Sequence, residues 1–209
     1  MTASASDASS AIWDGSCDTS WYDSEIPIFD ISTAAQLAGL AVLVNSGHTM
    51  ENQEINLLND LTLNDISEYS KWGTKEFSES TADSSDNIGD ATLELNNWVP
   101  IGMTGMEFNG KFNGNGHTIT GMYCENSDYG GLFGITGTNS SINAINFNKA
   151  YVKNDKYAGI VSGYSKGIIN NCIIQGKICA ITGSVGGICG CSEYIISNCI
   201  NLSLIHISE

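Results

Sequence analysis

There is no arginine in this chain of 209 residues, and its eight basic residues are all lysine. A nucleic-acid binder needs a basic face to displace counterions from phosphates, and this sequence has none to offer. Docking on an acidic lipid surface fails for the same reason. No stretch approaches the roughly 18 consecutive apolar residues of a membrane span, so the segment is not expected to enter a bilayer. The N-terminus, MTASASDASS, lacks the basic start and hydrophobic run of a signal peptide. The expectation is a cytosolic protein or an internal piece of a longer exported one, and the repeat content favours the piece.

Catalytic signatures are also missing. His48, His117 and His206 are isolated, with no His pair, His-Glu spacing or Gly-x-Ser-x-Gly elbow beside them. Glycoside hydrolysis needs two carboxylates held roughly 5–10 Å apart. Within residues 129–200 the only acids are Asp155 and Glu193, in separate loops. Lyases that act on acidic sugars use cationic residues around the substrate, and arginine is absent. No catalytic, cofactor-binding or metal-binding residue is assigned, and the chain is not expected to be an enzyme.

What the sequence does have is a period. Ile142, Ile169 and Ile196 lie 27 residues apart and open the phrases INAI, INNC and ISNC. A second phrase precedes each: YGGLFG at 129–134, AGIVSG at 158–163 and VGGICG at 185–190. Gly163 to Gly190 is again 27, while Gly134 to Gly163 is 29, the extra pair falling in the polar loop 136–141. A fixed period of this length marks stacked repeats, each burying its apolar side only against its neighbours. Equivalent residues then form columns: Leu132, Val161 and Ile188; Ile142, Ile169 and Ile196; Ile145, Cys172 and Cys199. Gly134, Gly163 and Gly190 make a glycine column, expected at a tight corner. Coils of about 27 residues with apolar columns and Gly/Asn corners predict an all-β parallel β-helix, a solenoid.

Ahead of the repeats, residues 1–12 are small and polar and are expected to be disordered. WDGSCDTSWY, at 13–22, reads as an irregular but ordered lead-in. Residues 33–46 predict a helix: Thr33 and Gln36 have capping-box spacing, Leu37, Leu40, Ala41 and Val44 share a face, and Gly47 follows. That helix is expected to cap the N-terminal end of the solenoid. Ile55, Leu57, Leu61 and Leu63 are strand material. Residues 66–95 read as a long polar insertion. Asn109-Gly110, Asn113-Gly114 and Asn115-Gly116 are turn signals, since both residue types accept positive φ.

These residues resemble a known family. Gly-Leu-Phe-Gly at 131–134 and its counterparts are similar to the GLUG motif. WDGSCDTSWY, FDISTAAQLAGLAVLVNSG, INLLNDLTLN, WVPIG and FNGKFNGNGHTITGMY look like the block that leads into such repeats. The resemblance covers roughly residues 12–200, with GLUG-type repeats over 129–200. It implies a right-handed β-helix in large, modular, exported bacterial proteins, and a structural motif without catalytic residues. Ile160 departs from it, standing where neighbouring copies have Gly131 and Gly187. Asn113 stands where Asp is more usual, and the 66–95 insertion is long.

Charge and cysteine add detail. Residues 1–100 hold 17 acids against Lys71 and Lys75, a balance of −15, while residues 101–209 hold six acids and six lysines, a balance of zero. The acidic half is expected to be a solvated surface. Asp83, Asp86, Asn87 and Asp90 gather oxygen ligands for calcium without the EF-hand spacing and read first as a solvated loop. Cys172 and Cys199 share a column at disulfide-compatible distance, but read as stacked buried thiols. Cys189-x-Cys191, with Cys179 near, lacks the fourth ligand of a zinc site. In residues 201–209 the repeat register is expected to fail, and LSLIHISE resembles translated sequencing-adaptor DNA, so this tail is expected to be non-native. The function expected is a non-catalytic structural or adhesive module of an exported or cell-surface bacterial protein. Its partners would be a glycan or protein, met through flat faces and exposed Tyr and Trp, and further domains of a longer chain. The alternative is a fragment of a carbohydrate-active enzyme whose catalytic residues lie outside this chain.

Overall fold

A computed structural model describes residues 11–73, 94–126, 128–180 and 182–207. The calcium candidates Asp83, Asp86, Asn87 and Asp90, most of the polar insertion and residues 1–10 lie outside the described residues. The fold is a parallel β-solenoid. Its longest stack, sheet I, joins six strands in the order Ile28–Ile31, Glu54–Leu57, Lys111–Asn113, Ser141–Asn143, Ile168–Asn170 and Ile196–Ser197. Sheet II stacks Leu61–Thr62, Thr118–Thr120, Asn146–Asn154, Ile173–Ala180 and Ile200–Asn201, with Tyr123–Asn126 and Leu204–Ile207 on its longer strands. Sheet III holds Tyr129–Gly130, Tyr157–Ala158 and Ser184–Val185, and sheet IV holds Phe133–Thr136, Ser162–Ser165 and Cys189–Ser192.

Every named pairing is parallel, and like residues meet. In sheet I the inward column runs Phe29, Ile55, Phe112, Ile142, Ile169, Ile196. The first five are buried; Ile55, Phe112, Ile142 and Ile169 belong to one apolar cluster reaching from Trp13 to Cys189, while Phe29 packs against Trp21 and Tyr22. Alternation within each strand produces this: successive side chains face opposite sides, so one residue in two enters the core. The predicted columns are in register, 145/172/199 and 161/188 at 27 residues and 132/161 at 29, the two extra residues falling in the loop 136–141.

Helix α1 (Ala34–Asn45) follows the outermost strand of sheet I and occupies the end rung in place of strands. The capping box forms as predicted: Thr33 Oγ1 accepts from the Gln36 N–H, and Gln36 Oε1 accepts from the Thr33 N–H. Leu37, Leu40, Ala41 and Val44 are buried. The 13–22 lead-in crosses the helix, the Asp18 N–H donating to the Ala35 carbonyl. A Cβ on Gly39 would stand 1.9 Å from the Asp18 carbonyl oxygen, so only glycine lets this crossing close. Ile12, which the composition groups with the disordered lead-in, bridges Thr62.

Three expectations are corrected. The glycine column 134/163/190 lies within sheet IV strands and not at a corner. A Cβ at Gly190 would stand 2.7 Å from the Ala158 nitrogen and the Gly163 carbonyl oxygen, so close backbone approach between sheets III and IV excludes it. The true corner column is the third residue of INAI, INNC and ISNC: Ala144, Asn171 and Asn198, with φ of 52°, 55° and 53°. Among the three Asn-Gly turn signals, only Asn115-Gly116 has both residues at positive φ, at 52° and 77°. Finally, pairing does not fail after Ile200. Ile174 opposes Asn201, and Lys177 to Ala180 oppose Leu204 to Ile207, still 27 apart. The side-chain pattern changes there while the backbone ladder continues.

Two stability predictions follow from this packing. Leu40→Asp buries an unpaired carboxylate under the end rung and should cost several kcal/mol, about 3–5; an unchanged thermal midpoint would show that α1 closes nothing. Ala144 holds a left-handed conformation that costs a Cβ-bearing residue about 1–2 kcal/mol and that Asn tolerates better. Ala144→Asn should therefore raise stability by about 1 kcal/mol in denaturant titration.

Candidate ligand-binding faces

Two outward arrays present ordered chemistry. On sheet I the column beside the core residues reads Asp30, Asn56, Asn113, Asn143, Asn170, Ser197, paired rung by rung. The Asn56 amide donates to Asp30 Oδ1 at 3.2 Å, Asn171 donates to Asn143 Oδ1 at 3.1 Å, and Asn198 and Ser197 donate to Asn170 Oδ1 at 3.1 and 3.0 Å. Amides stacked about 4.8 Å apart satisfy one another along the axis and leave polar edges outward.

The second array is tyrosine. Tyr129 and Tyr157 oppose each other in sheet III and stack at 5.4 Å with rings 8° from parallel. Tyr164 meets Tyr157 edge-on at 5.3 Å, and its hydroxyl donates to Glu193. That hydrogen bond to a carboxylate pushes the Tyr164 phenol up to about 12. Lys156 pairs with Asp128 at 2.6 Å beside the ladder. All three rings are half-buried, so edges and part of their faces reach solvent.

A second tyrosine stack is covered. Tyr123 and Tyr151 lie 5.2 Å apart at 11°, but the first residues of the insertion cross them. Trp72 packs edge-on against Tyr123, Tyr69 donates its hydroxyl to the Ala150 carbonyl, and Lys177 sits 4.8 Å over the Tyr69 ring. Burial pushes the Tyr69 phenol up to about 12 and raises Tyr151 as well. The expectation of exposed tryptophans is corrected here: Trp13, Trp72 and Trp98 are buried, and Trp21 packs against Phe29. Tyr194 remains exposed.

The residues weighed for chemistry do not converge. Asp155 sits at the turn between sheets II and III, and Glu193 between sheets IV and I, where Tyr164 engages it. His48 packs on Tyr22. His117 approaches Asp60 at 3.0 Å, a partner 57 residues distant that the sequence did not reveal. The Thr118 N–H also donates to that carboxylate at 2.9 Å. Thr118 first, and His117 after it, hold the Asp60 carboxyl below its ordinary range against the opposing effect of partial burial. His206 lies on the strand that pairs with Ile173–Ala180, opposite Cys179. Among the described residues no group of three His, Cys, Asp or Glu is placed to hold a metal ion. No described helix is long and apolar enough to cross a membrane.

The cysteines are free thiols. The Cys172 N–H points at Cys199 Sγ at 3.4 Å, and each sulfur lies near the carbonyl two residues before it. Burial pushes the Cys172 and Cys189 thiols up to about 12. With folded values above the ordinary 9.0, the stability they contribute is complete below that pH and is lost as pH climbs toward 12. At about pH 8 both stay protonated and inert, because only thiolate is nucleophilic. A colorimetric disulfide reagent should thus label the exposed Cys17 quickly and Cys172 and Cys189 only after unfolding, and the thermal midpoint should decline above about pH 9.

Comparison with known proteins gives one partial likeness. The chain is 32% identical over 83 residues to a protein of Evansella cellulosilytica that carries the provisional name Gly-rich membrane protein. The match covers 37% of this chain and 10% of that protein, so the chain spans a small fraction of its relative's length. No family model matches the chain, and no solved structure matches it.

Proposed function

We propose that this chain is a non-catalytic β-solenoid module, of the GLUG-repeat kind, in an exported bacterial protein. It serves as a structural or adhesive segment and contacts glycans or proteins through its outer faces. The observation that carries this reading is the tyrosine cluster half-exposed beside an ion pair: Tyr129 and Tyr157 stacked one rung apart, with Tyr164 edge-on to Tyr157 from the neighbouring sheet. Aromatic rings at regular intervals suit a repeating ligand, because each ring offers an apolar body with a polar tip. The amide ladder of sheet I adds a second regular face, suited to hydrogen bonding.

The placement of the acids supports a binding role over a catalytic one. Asp155 and Glu193 stand at different corners of the coil, and Glu193 is engaged by a phenol. A site at the cell surface, within a longer modular protein, suits the resemblance, and the relative's membrane-protein name is compatible with it.

The reading is tested by screening residues 1–209 against plant, mucin and bacterial glycans for both binding and reducing-sugar release. Binding without turnover is expected, and Tyr157→Ala with Tyr164→Ala should weaken it by about threefold to tenfold. Turnover that persists through purification and disappears in Asp155→Asn/Glu193→Gln would replace this reading with that of a carbohydrate-active enzyme.

A further inference from the structure

The chain holds seven cysteines, and the ladder register decides which of them can meet. Cys17 lies in the lead-in, Cys124 stands beside Val152, and Cys179 lies between Lys153 and His206. Cys189 opposes Ser162 and Cys191 opposes Tyr164. Those two share one strand, about 6.6 Å apart and at the far limit for a disulfide. Cys189 Sγ is turned onto the Cys191 carbonyl at 2.9 Å. Only Cys172 and Cys199 are rung neighbours: Asn170 opposes Ser197 and Ile173 opposes Ile200, so the two cysteines face each other across adjacent coils.

Rung spacing puts their Cα atoms about 4.8 Å apart, inside the roughly 4.4–6.8 Å that a disulfide spans. Cys199 Sγ leans across the ladder to within 3.4 Å of the Cys172 nitrogen. In the reduced state each thiol donates to the carbonyl two residues before it, Asn170 and Ser197, at 3.3 and 3.2 Å. Those bonds hold side-chain rotors, so rotation about the two Cα–Cβ bonds is the movement that joins the sulfurs. Cys172 belongs to the apolar cluster and Cys199 packs against it. A thiol there needs an acceptor, whereas an S–S bond has no proton to place.

We propose that Cys172 and Cys199 are a redox pair that closes to a disulfide while the chain folds, tying adjacent coils together. The oxidant is a low-molecular-weight disulfide. One protein thiolate attacks a sulfur of that reagent and expels one small thiolate; the second attacks the protein sulfur of the mixed disulfide and expels the other. One S–S bond breaks and one forms. The protein gives up two electrons and two thiol protons, and the reagent leaves as two thiols. Folding sets the timing. In the unfolded chain both thiols are open to reagent, but in the folded chain Cys172 is 0% exposed and is held protonated by burial first and by the Cys199 thiol after it. An oxidising compartment, such as the exterior proposed above, is where such a bond persists. The later coil gains most: beside Cys199 its strands Ile196–Ser197 and Ile200–Asn201 have two residues each, against three in Ile168–Asn170 and eight in Ile173–Ala180.

Oxidative refolding of the full 209-residue chain tests this. Reduced, unfolded protein is refolded with a mixture of oxidised and reduced glutathione, trapped by alkylation and mapped by peptide mass. The expected product carries a Cys172–Cys199 cross-link, with a thermal midpoint about 5–10 °C above that of the chain refolded reduced. The difference should vanish in Cys199→Ala and survive in Cys17→Ser, which alters an exposed thiol. If Cys199→Ala does not fold, the wild-type peptide map and midpoints decide alone. The same glutathione mixture added to folded, reduced protein should form the cross-link at least about tenfold more slowly. Two alkylated thiols after oxidative refolding, a cross-link to another cysteine, an unchanged midpoint, or equal rates for folded and refolding chains would each overturn the proposal.

Discussion

In-register parallel stacking is the constraint on which the rest of this molecule depends. Each side chain in the ladder stands about 4.8 Å from its equivalent in the next coil, so every column must tolerate its own contents. Apolar columns gain from this, and like charges cannot share one. The charged positions that do stack are matched in sign: Glu54 opposes Lys111, and Glu125 opposes Lys153 with an ion pair of 2.5 Å. The low charge content and the even balance of residues 101–209 follow from that rule. Acidic surplus gathers instead in the lead-in and in the stretches before the regular coils begin, where no column repeats it.

The period was legible because the core columns repeat the same residue types: columns 142/169/196 and 145/172/199 could be written down from spacing, and 132/161/188 from the repeated glycine phrases. What could not be read was the reason for each small residue. A glycine column says that a Cβ is excluded, and a tight corner and a close neighbouring sheet exclude it equally well. The corner was hidden in the phrase that set the period, since Ala144 occupies it in one copy and masks the Asn of the other two. The tail was misjudged for the opposite reason. Side-chain likeness was lost at Asn201, yet main-chain hydrogen bonds that ignore side-chain identity carry the ladder on to Ile207.

The outer faces were less legible than the core. Tyr129 and Tyr157 are 28 residues apart, close to one coil, so a ladder between them was implicit in the period. Tyr123 and Tyr151 have the same separation, and their fate was not implicit. A polar-looking segment lies across them with Tyr69 and Trp72, and nothing in a repeat pattern announces what an irregular segment will cover. Tryptophan exposure was misread on the same ground: Trp13 and Trp98 pack against each other at 5.7 Å where lead-in meets solenoid, a contact that joins residues 85 apart. His117 and Asp60 belong to different rungs separated by the long insertion, which lies outside the 27-residue period.

Asn64 and Asn96 bracket that insertion. The Asn96 N–H donates to Asn64 Oδ1 at 2.7 Å, and the Asn64 amide returns a bond to the Asn96 carbonyl at 3.1 Å and a second to Gly121 at 2.9 Å. The chain thus leaves the solenoid and re-enters it through one clasp, and Tyr69 and Trp72 pin the first part of the excursion to sheet II. Closure entropy grows only with the logarithm of loop length, so doubling the excursion costs about 0.6 kcal/mol. The clasp and the packed Tyr69–Trp72 turn together make the stretch beyond Gly73 a port: a segment of quite different length can leave there, and the stack beneath keeps its count.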